Sequence, residues 1–244
     1  MKQSPRAWFG RFTKVMTNLG YKQSQGDHTL FIKHSVSGGV TILLVYVDDI
    51  IVTEDDKEDQ IILSQCLATN FEIKTLGRLK YFLGIEVAHS KKGIFISQQK
   101  YITDLLKETG KTACKPVSTP VDPNIKLGSA EEDNAVNKEM YQRLVGKLIY
   151  LSHTKLDIAF AVSLISQFMH QPREAHLQAA LRIVQYLKGT PGRGILFKQN
   201  KSVVLEIYTD GDAGSVVDRR STTGYCTFLG GNLVTKEYKA KCSS

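Results

Sequence analysis

The chain has 244 residues, 42% of them apolar and 23% charged, a balance that supplies one good core or two small ones and excludes a disordered polar tract. Lys and Arg number 32 against 24 for Asp and Glu, a net charge of +8, so a polyanion is the first class of partner to consider. No run of about 18 apolar residues occurs, the N-terminus Met1-Lys2-Gln3-Ser4-Pro5 has no secretory apolar stretch, and Cys66, Cys114, Cys226 and Cys242 show neither C-x-x-C pairing nor zinc spacing. An intracellular protein with no membrane partner is expected.

Taken in chain order, Trp8, Phe9, Phe12, Val15, Met16 and Leu19 recur at helical spacing, and Gly20 follows where a C-cap glycine belongs. The runs 28–33 and 40–47 predict a hairpin around Ser35-Val36-Ser37-Gly38-Gly39. The second run ends on Asp48-Asp49 and resumes as Ile50-Ile51-Val52, which places the aspartates at a tight turn, because Asp tolerates turn geometry and is disfavoured inside strands. Residues 55–70 read as a helix with an acidic first turn and with Ile61, Ile62, Gln65 and Cys66 on one side. A second hairpin, 81–88 and 93–97, turns at Ser90-Lys91-Lys92-Gly93, and a short helix 98–109 closes at Gly110. The order up to this point predicts an α+β layer, helices backing an antiparallel sheet.

Pro116, Pro120, Pro123 and Gly128, with the acidic Glu131-Glu132-Asp133, then predict a linker of roughly 25 residues and a domain boundary within it. Three helices are expected at 139–152, 157–170 and 173–188, and short strands at 195–198, 203–209 and 224–229. Basic residues concentrate in three blocks. Residues 1–34 oppose Lys2, Arg6, Arg11, Lys14, Lys22 and Lys33 to Asp27 alone, 74–100 has only Glu86 among its acids, and 182–201 has no acid at all. Solvated faces and phosphate-tracking surfaces both account for such blocks.

The segment Tyr46-Val47-Asp48-Asp49 carries the chemistry. Flanking strands hold two carboxylates at a turn, and hard oxygen ligands with room for water and phosphate oxygens are what Mg²⁺ requires. An Asp-Asp pair by itself is better explained as two aspartates in a surface hairpin turn. Its company is more specific. The segments 2–9 (Lys-Gln-Ser-Pro-Arg-Ala-Trp-Phe), 76–87 with Phe82-Leu83-Gly84, Cys114-Lys115-Pro116, 144–151, 157–162, 186–190, Tyr208-Thr209-Asp210 and 218–226 follow in an order and spacing that resembles the reverse transcriptase region of copia-type retrotransposon Pol polyproteins, of a plant-like kind.

The resemblance implies a partial polymerase palm and thumb at 1–112, a linker at 113–138, a helical connection region at 139–192 and the first strands of an RNase H-like fold at 193–244. It assigns Asp48 and Asp49 as catalytic metal ligands for Mg²⁺ (or Mn²⁺), Ser4 and Pro5 to the nucleotide-pocket segment, Tyr46, Phe82, Leu83 and Gly84 to primer contact, and Asp210 to an RNase H remnant. The implied partners are an RNA template with its DNA primer, nucleotide triphosphates and the remainder of a Pol polyprotein, in a cytoplasmic particle or the nucleus. By periodicity alone Phe82 and Leu83 are strand core, and Trp8 and Phe9 helix core.

The sequence also departs from the family. The family's first aspartate lies upstream of the Ser-Pro segment at which this sequence opens, and Asp27 sits in a turn-like setting unlike a strand ligand. The family's tryptophan is missing after Asp210, and Leu156 replaces the proline of the Thr154-Lys155-Leu156-Asp157 turn. The expectation is a polymerase fragment inactive as this isolated chain. The alternatives are a catalytically dead nucleic-acid-binding remnant and a non-functional pseudogene product.

Overall fold

The computed structural model describes residues 5–35, 38–47, 49–54, 57–122, 124–125, 127–128, 134–200, 203–212 and 221–241. The chain is mixed α/β with antiparallel sheets, and it divides into two compact units, Met1–Leu79 and Lys80–Ser244. Among the described residues no helix is long and apolar enough to cross a membrane.

In the first unit, helix α1 (Pro5–Asn18) opens on a proline, whose fixed φ suits a first helical residue and whose missing N–H costs nothing there. Gly20, at φ +86, turns the chain out of the helix, and the Tyr21 N–H returns to the Met16 carbonyl at 3.0 Å. Strands β1 (Lys22–Gln23), β2 (Leu30–His34), β3 (Val40–Tyr46) and β4 (Asp49–Glu54) then form an antiparallel sheet in sequence order, followed by helix α2 (Lys57–Asn70).

Strand alternation divides the faces of this sheet. Phe31, Leu43 and Val45 bury against Phe12 and Met16 of α1 and Leu63 and Leu67 of α2, with Tyr21 and Phe71 completing the core. Trp8 stacks on Phe12 at 5.3 Å, and it and Phe9 pack at the margin of this core, as their helical spacing leads one to expect. The opposite face carries Ile32, Ile42, Leu44 and Ile51, half-buried, and ends on Tyr46 and Asp49, both exposed.

Helix α2 corrects one expectation. Its inward residues are Asp59, Leu63 and Leu67 at i, i+4 spacing, whereas Ile61 and Ile62 are exposed. The register is pinned by Asp59, which pairs with Lys33 at 2.7 Å and accepts from the Thr41 hydroxyl at 3.5 Å. A polar anchor to the sheet thus outweighs two apolar side chains in choosing the face.

In the second unit, β5 (Tyr81–Phe82), β6 (Ile85–Ser90) and β7 (Gly93–Ser97) precede helix α3 (Gln99–Glu108). Glu86 of β6 receives the Gln99 N–H at 3.1 Å and the Ser97 hydroxyl at 3.3 Å, so the sheet caps the helix. Helices α4 (Lys138–Ser152), α5 (Ala159–Ser166) and α6 (Glu174–Gly189) pack with α3 around Ile102, Tyr141, Leu148, Leu151, Ile158, Ile165, Ile183 and Leu187. A short 3-10 turn, Leu156–Ile158, stands where one continuous helix from 157 is expected.

The proline-rich segment after Lys115 runs as a strap along the helical core: Leu127 is buried in it, Val117, Val121, Ile125 and Val136 pack on it, and the flanks hydrogen-bond to α6 and its approach. Apolar residues interspersed among the prolines let an extended chain bury one side. Strand β8 (Ile195–Lys198) joins β7 and not the strands that follow it, giving the sheet order β5-β6-β7-β8. Gly93 and Gly194 permit this, since a Cβ on either would lie 2.0 Å from a carbonyl oxygen of the opposing strand. A third sheet, in order β11-β10-β9, holds β9 (Leu205–Asp212), β10 (Ser221–Leu229) and β11 (Asn232–Lys241).

Candidate functional site

Tyr46 and Asp49 are a cross-strand pair closing the β3–β4 hairpin. Two-residue hairpin loops favour positive φ because that twist matches the flanking strands. Val47 obliges at φ +51, a region that β-branched side chains rarely enter. The hairpin therefore projects its tip from a sheet whose other face is held by α1 and α2. Asp49 begins β4 with an exposed side chain and forms no ion pair among the described residues, while Tyr46 beside it is half-exposed. Asp48 and Ser4 lie outside the described residues, and Pro5 is the first residue of α1.

Asp27 is engaged elsewhere. Its carboxylate accepts from the Thr29 hydroxyl at 2.6 Å and the Thr29 N–H at 2.8 Å, and these bonds, the hydroxyl first, hold its carboxyl below the usual range. An aspartate committed to its own turn is a loop element.

In the second unit, Phe82 and Ile85 pair across Leu83-Gly84, which enter the left-handed region at φ +50 and +84. Phe82-Leu83-Gly84 thus forms the tip of a tight hairpin, with Leu83 exposed and Phe82 half-buried. Tyrosines surround the tip. The Tyr150 hydroxyl of α4 donates to the Leu83 carbonyl, Tyr101 of α3 lies 5.5 Å from the Tyr150 ring, and Lys100 sits 6.0 Å over Tyr81. Burial, reinforced by Tyr150 and Glu108, raises the Tyr101 phenol above its ordinary range. Spacing offered no signal for these rings, since Tyr150 lies 67 residues from Leu83 in the chain. Asp210 is exposed on β9 opposite Gly224, in a different sheet from Leu83.

Among the described residues no group of three or more His, Cys, Asp or Glu is arranged to hold a metal ion. The residues do fit part of such a site: an exposed carboxylate at Asp49, at the end of a hairpin and beside Asp48 in sequence, is a hard oxygen donor with room for further ligands.

A tight hairpin with an exposed carboxylate, on an antiparallel sheet backed by helices, is the site on display. Residues 1–123 match the family of reverse transcriptases (RNA-dependent DNA polymerases), and the chain belongs to that family, in the branch found in copia-type transposon Pol polyproteins. It is 40% identical over 231 residues to the retrovirus-related Pol polyprotein from transposon RE1 of Arabidopsis thaliana, covering 94% of this chain and 16% of the polyprotein. To the corresponding polyprotein from transposon TNT 1-94 of Nicotiana tabacum it is 34% identical over 253 residues, 99% of this chain and 19% of that one. An uncharacterized mitochondrial protein of Arabidopsis thaliana is 38% identical over 195 residues, 79% of this chain and 80% of its own length. The chain thus spans less than a fifth of either polyprotein. No solved structure matches it.

Proposed function

We propose that the chain is the palm-and-thumb portion of an RNA-directed DNA polymerase, with Asp48 and Asp49 as its metal-binding carboxylates and Mg²⁺ (or Mn²⁺) as the ion. The observation that carries this is the Tyr46–Asp49 pair closing a two-residue hairpin on a helix-backed sheet, in a chain whose residues 1–123 match the family. When bound, the metal supplies Lewis-acid activation of a primer 3′-hydroxyl and charge neutralisation at the leaving pyrophosphate. The chain's own part is positional. The hairpin holds the Asp49 carboxylate at its end, Tyr46 offers a half-exposed ring beside it, and the Phe82-Leu83-Gly84 tip contacts the primer. Ser4 and Pro5 belong to the nucleotide-pocket segment. The helical region from 139 to 192 is the connection, and the third sheet, with Asp210, is the opening of an RNase H-like fold.

In this reading the protein works inside the cell on an RNA template and DNA primer, as part of a larger Pol polyprotein. The 244 residues supply two of the family's three aspartates, so alone they are expected to extend no primer. Mn²⁺ titration followed by NMR tests the site independently of turnover. Resonances of Tyr46 and Asp49 should broaden, and Asp48→Asn should abolish the effect. Broadening that persists in both Asp48→Asn and Asp49→Asn would refute the assignment. Primer extension on an oligo-primed RNA template by the same chain should be absent, and Asp48-dependent incorporation would overturn the expectation of inactivity.

A second reading, a nucleic-acid-binding remnant, is favoured by the three basic blocks. It shares the duplex-binding surface and differs only in predicting no metal effect at residues 46–49.

A further inference from the structure

The Leu83–Gly84 turn lacks the means to hold its own shape. Strand β5 contributes only two pairs, Tyr81 with Glu86 and Phe82 with Ile85, so the hairpin on this side is too short to impose its loop. Leucine at φ +50 is sparsely populated, and a conformation of that kind persists only where its surroundings over-determine it. The Leu83 side chain is exposed and supplies little of that constraint.

The constraint comes from α4. The Tyr150 hydroxyl donates to the carbonyl of Leu83 itself, across 67 residues of chain. Its ring and that of Tyr101 also wall the next residue: a Cβ at Gly84 would lie 3.4 Å from Tyr101 and 3.8 Å from Tyr150. Tyr150 thus holds the carbonyl of the first loop residue and, with Tyr101, borders the space beside the second. We infer that Tyr150 is a positioning residue: it clamps the Leu83–Gly84 turn to the helical core and thereby sets how the hairpin tip is presented to a primer strand. The presentation rests on the reading of Phe82-Leu83-Gly84 as primer contact; the clamp does not.

The test separates the two. In the full 244-residue chain, Tyr150→Phe keeps the ring against Tyr101 and His153 and removes only the donor. Backbone hydrogen exchange of residues 83–86 should rise about tenfold, the effect of one lost hydrogen bond, while exchange within α4 stays unchanged. Leu83→Gly, which enters the left-handed region freely, should shrink that response, because the clamp then has less to hold. Affinity for an RNA–DNA primer–template duplex at fixed salt should fall in Tyr150→Phe and be restored by no ring-only substitution. Unchanged exchange at 83–86 overturns the clamp. Raised exchange with undiminished duplex affinity overturns the presentation. If the unsubstituted chain binds no duplex, the primer-contact reading fails, and the exchange arm still decides the clamp by itself.

Discussion

Tyr141 shows how single groups set the pH response of the helical unit. Its phenol is fully buried and donates to the Ile165 carbonyl at 2.8 Å, and burial pushes its ionisation well above the ordinary value near 10. The folded chain therefore keeps a proton that the unfolded chain loses. The resulting stability is whole below about pH 10 and is lost as pH rises beyond it toward the folded value. Tyr186, raised by burial and then by its bond to Asp157, acts in the same sense. Lys155 acts in the opposite sense on the way up, since burial lowers its affinity for a proton and its contribution grows as pH climbs toward that range. Denaturant unfolding of residues 80–244 should weaken from about pH 10 upward. Tyr141→Phe should flatten that decline and cost about 1–2 kcal/mol at neutral pH, because the Ile165 carbonyl loses its donor.

At the scale of elements, the fold depends on a few places where backbone meets backbone. Asn137 caps α4 by accepting the Met140 N–H at 2.8 Å, and Asn137→Ala should lower stability by about 1 kcal/mol, measurable by equilibrium denaturation. Gly194→Ala should do more, because its new Cβ would collide with the Ile96 carbonyl at the seam of β7 and β8. Loss of exchange protection confined to residues 93–97 and 195–198, with α4 to α6 intact, would mark that seam as the part that opens. What the sequence discloses follows the same line. Hairpins at 40–54 and 85–97 are legible because turn and strand signals lie within a few residues of each other, and the carboxylate turn is legible with them; the turn at Leu83-Gly84 is not, since 81–88 reads as one strand by periodicity and the structure breaks it into β5 and β6. The strap, the β7–β8 seam and the Tyr150 clamp join residues far apart in the chain, and no local pattern encodes such partners. The buried face of α2 was illegible for another reason: its register is chosen by the Asp59–Lys33 pair, against the apolar signal of Ile61 and Ile62.

For the whole molecule, two compact units make two separate cores. Phe12, fully buried and ringed by Trp8, Phe31 and Phe71, anchors the first. Phe12→Ala should cost about 3–5 kcal/mol and unfold residues 5–71 while leaving protection in α3 to α6, which exchange mass spectrometry resolves. The net charge of +8 bears on the molecule as a unit as well. Duplex binding should weaken steeply between about 50 and 200 mM salt with little sequence preference, and an affinity indifferent to salt would exclude phosphate tracking. The seam of β7 and β8 has one more consequence, for the ribosome. Gly93–Ser97 emerges roughly 100 residues before Ile195–Lys198, about 5–20 s at ordinary rates of synthesis, and its outer edge stays unpaired throughout. A nascent chain with an open strand for that long offers a template to its neighbours on the same message, so slower translation of residues 98–194 should increase co-translational aggregation, and a soluble peptide spanning 194–198 should suppress it.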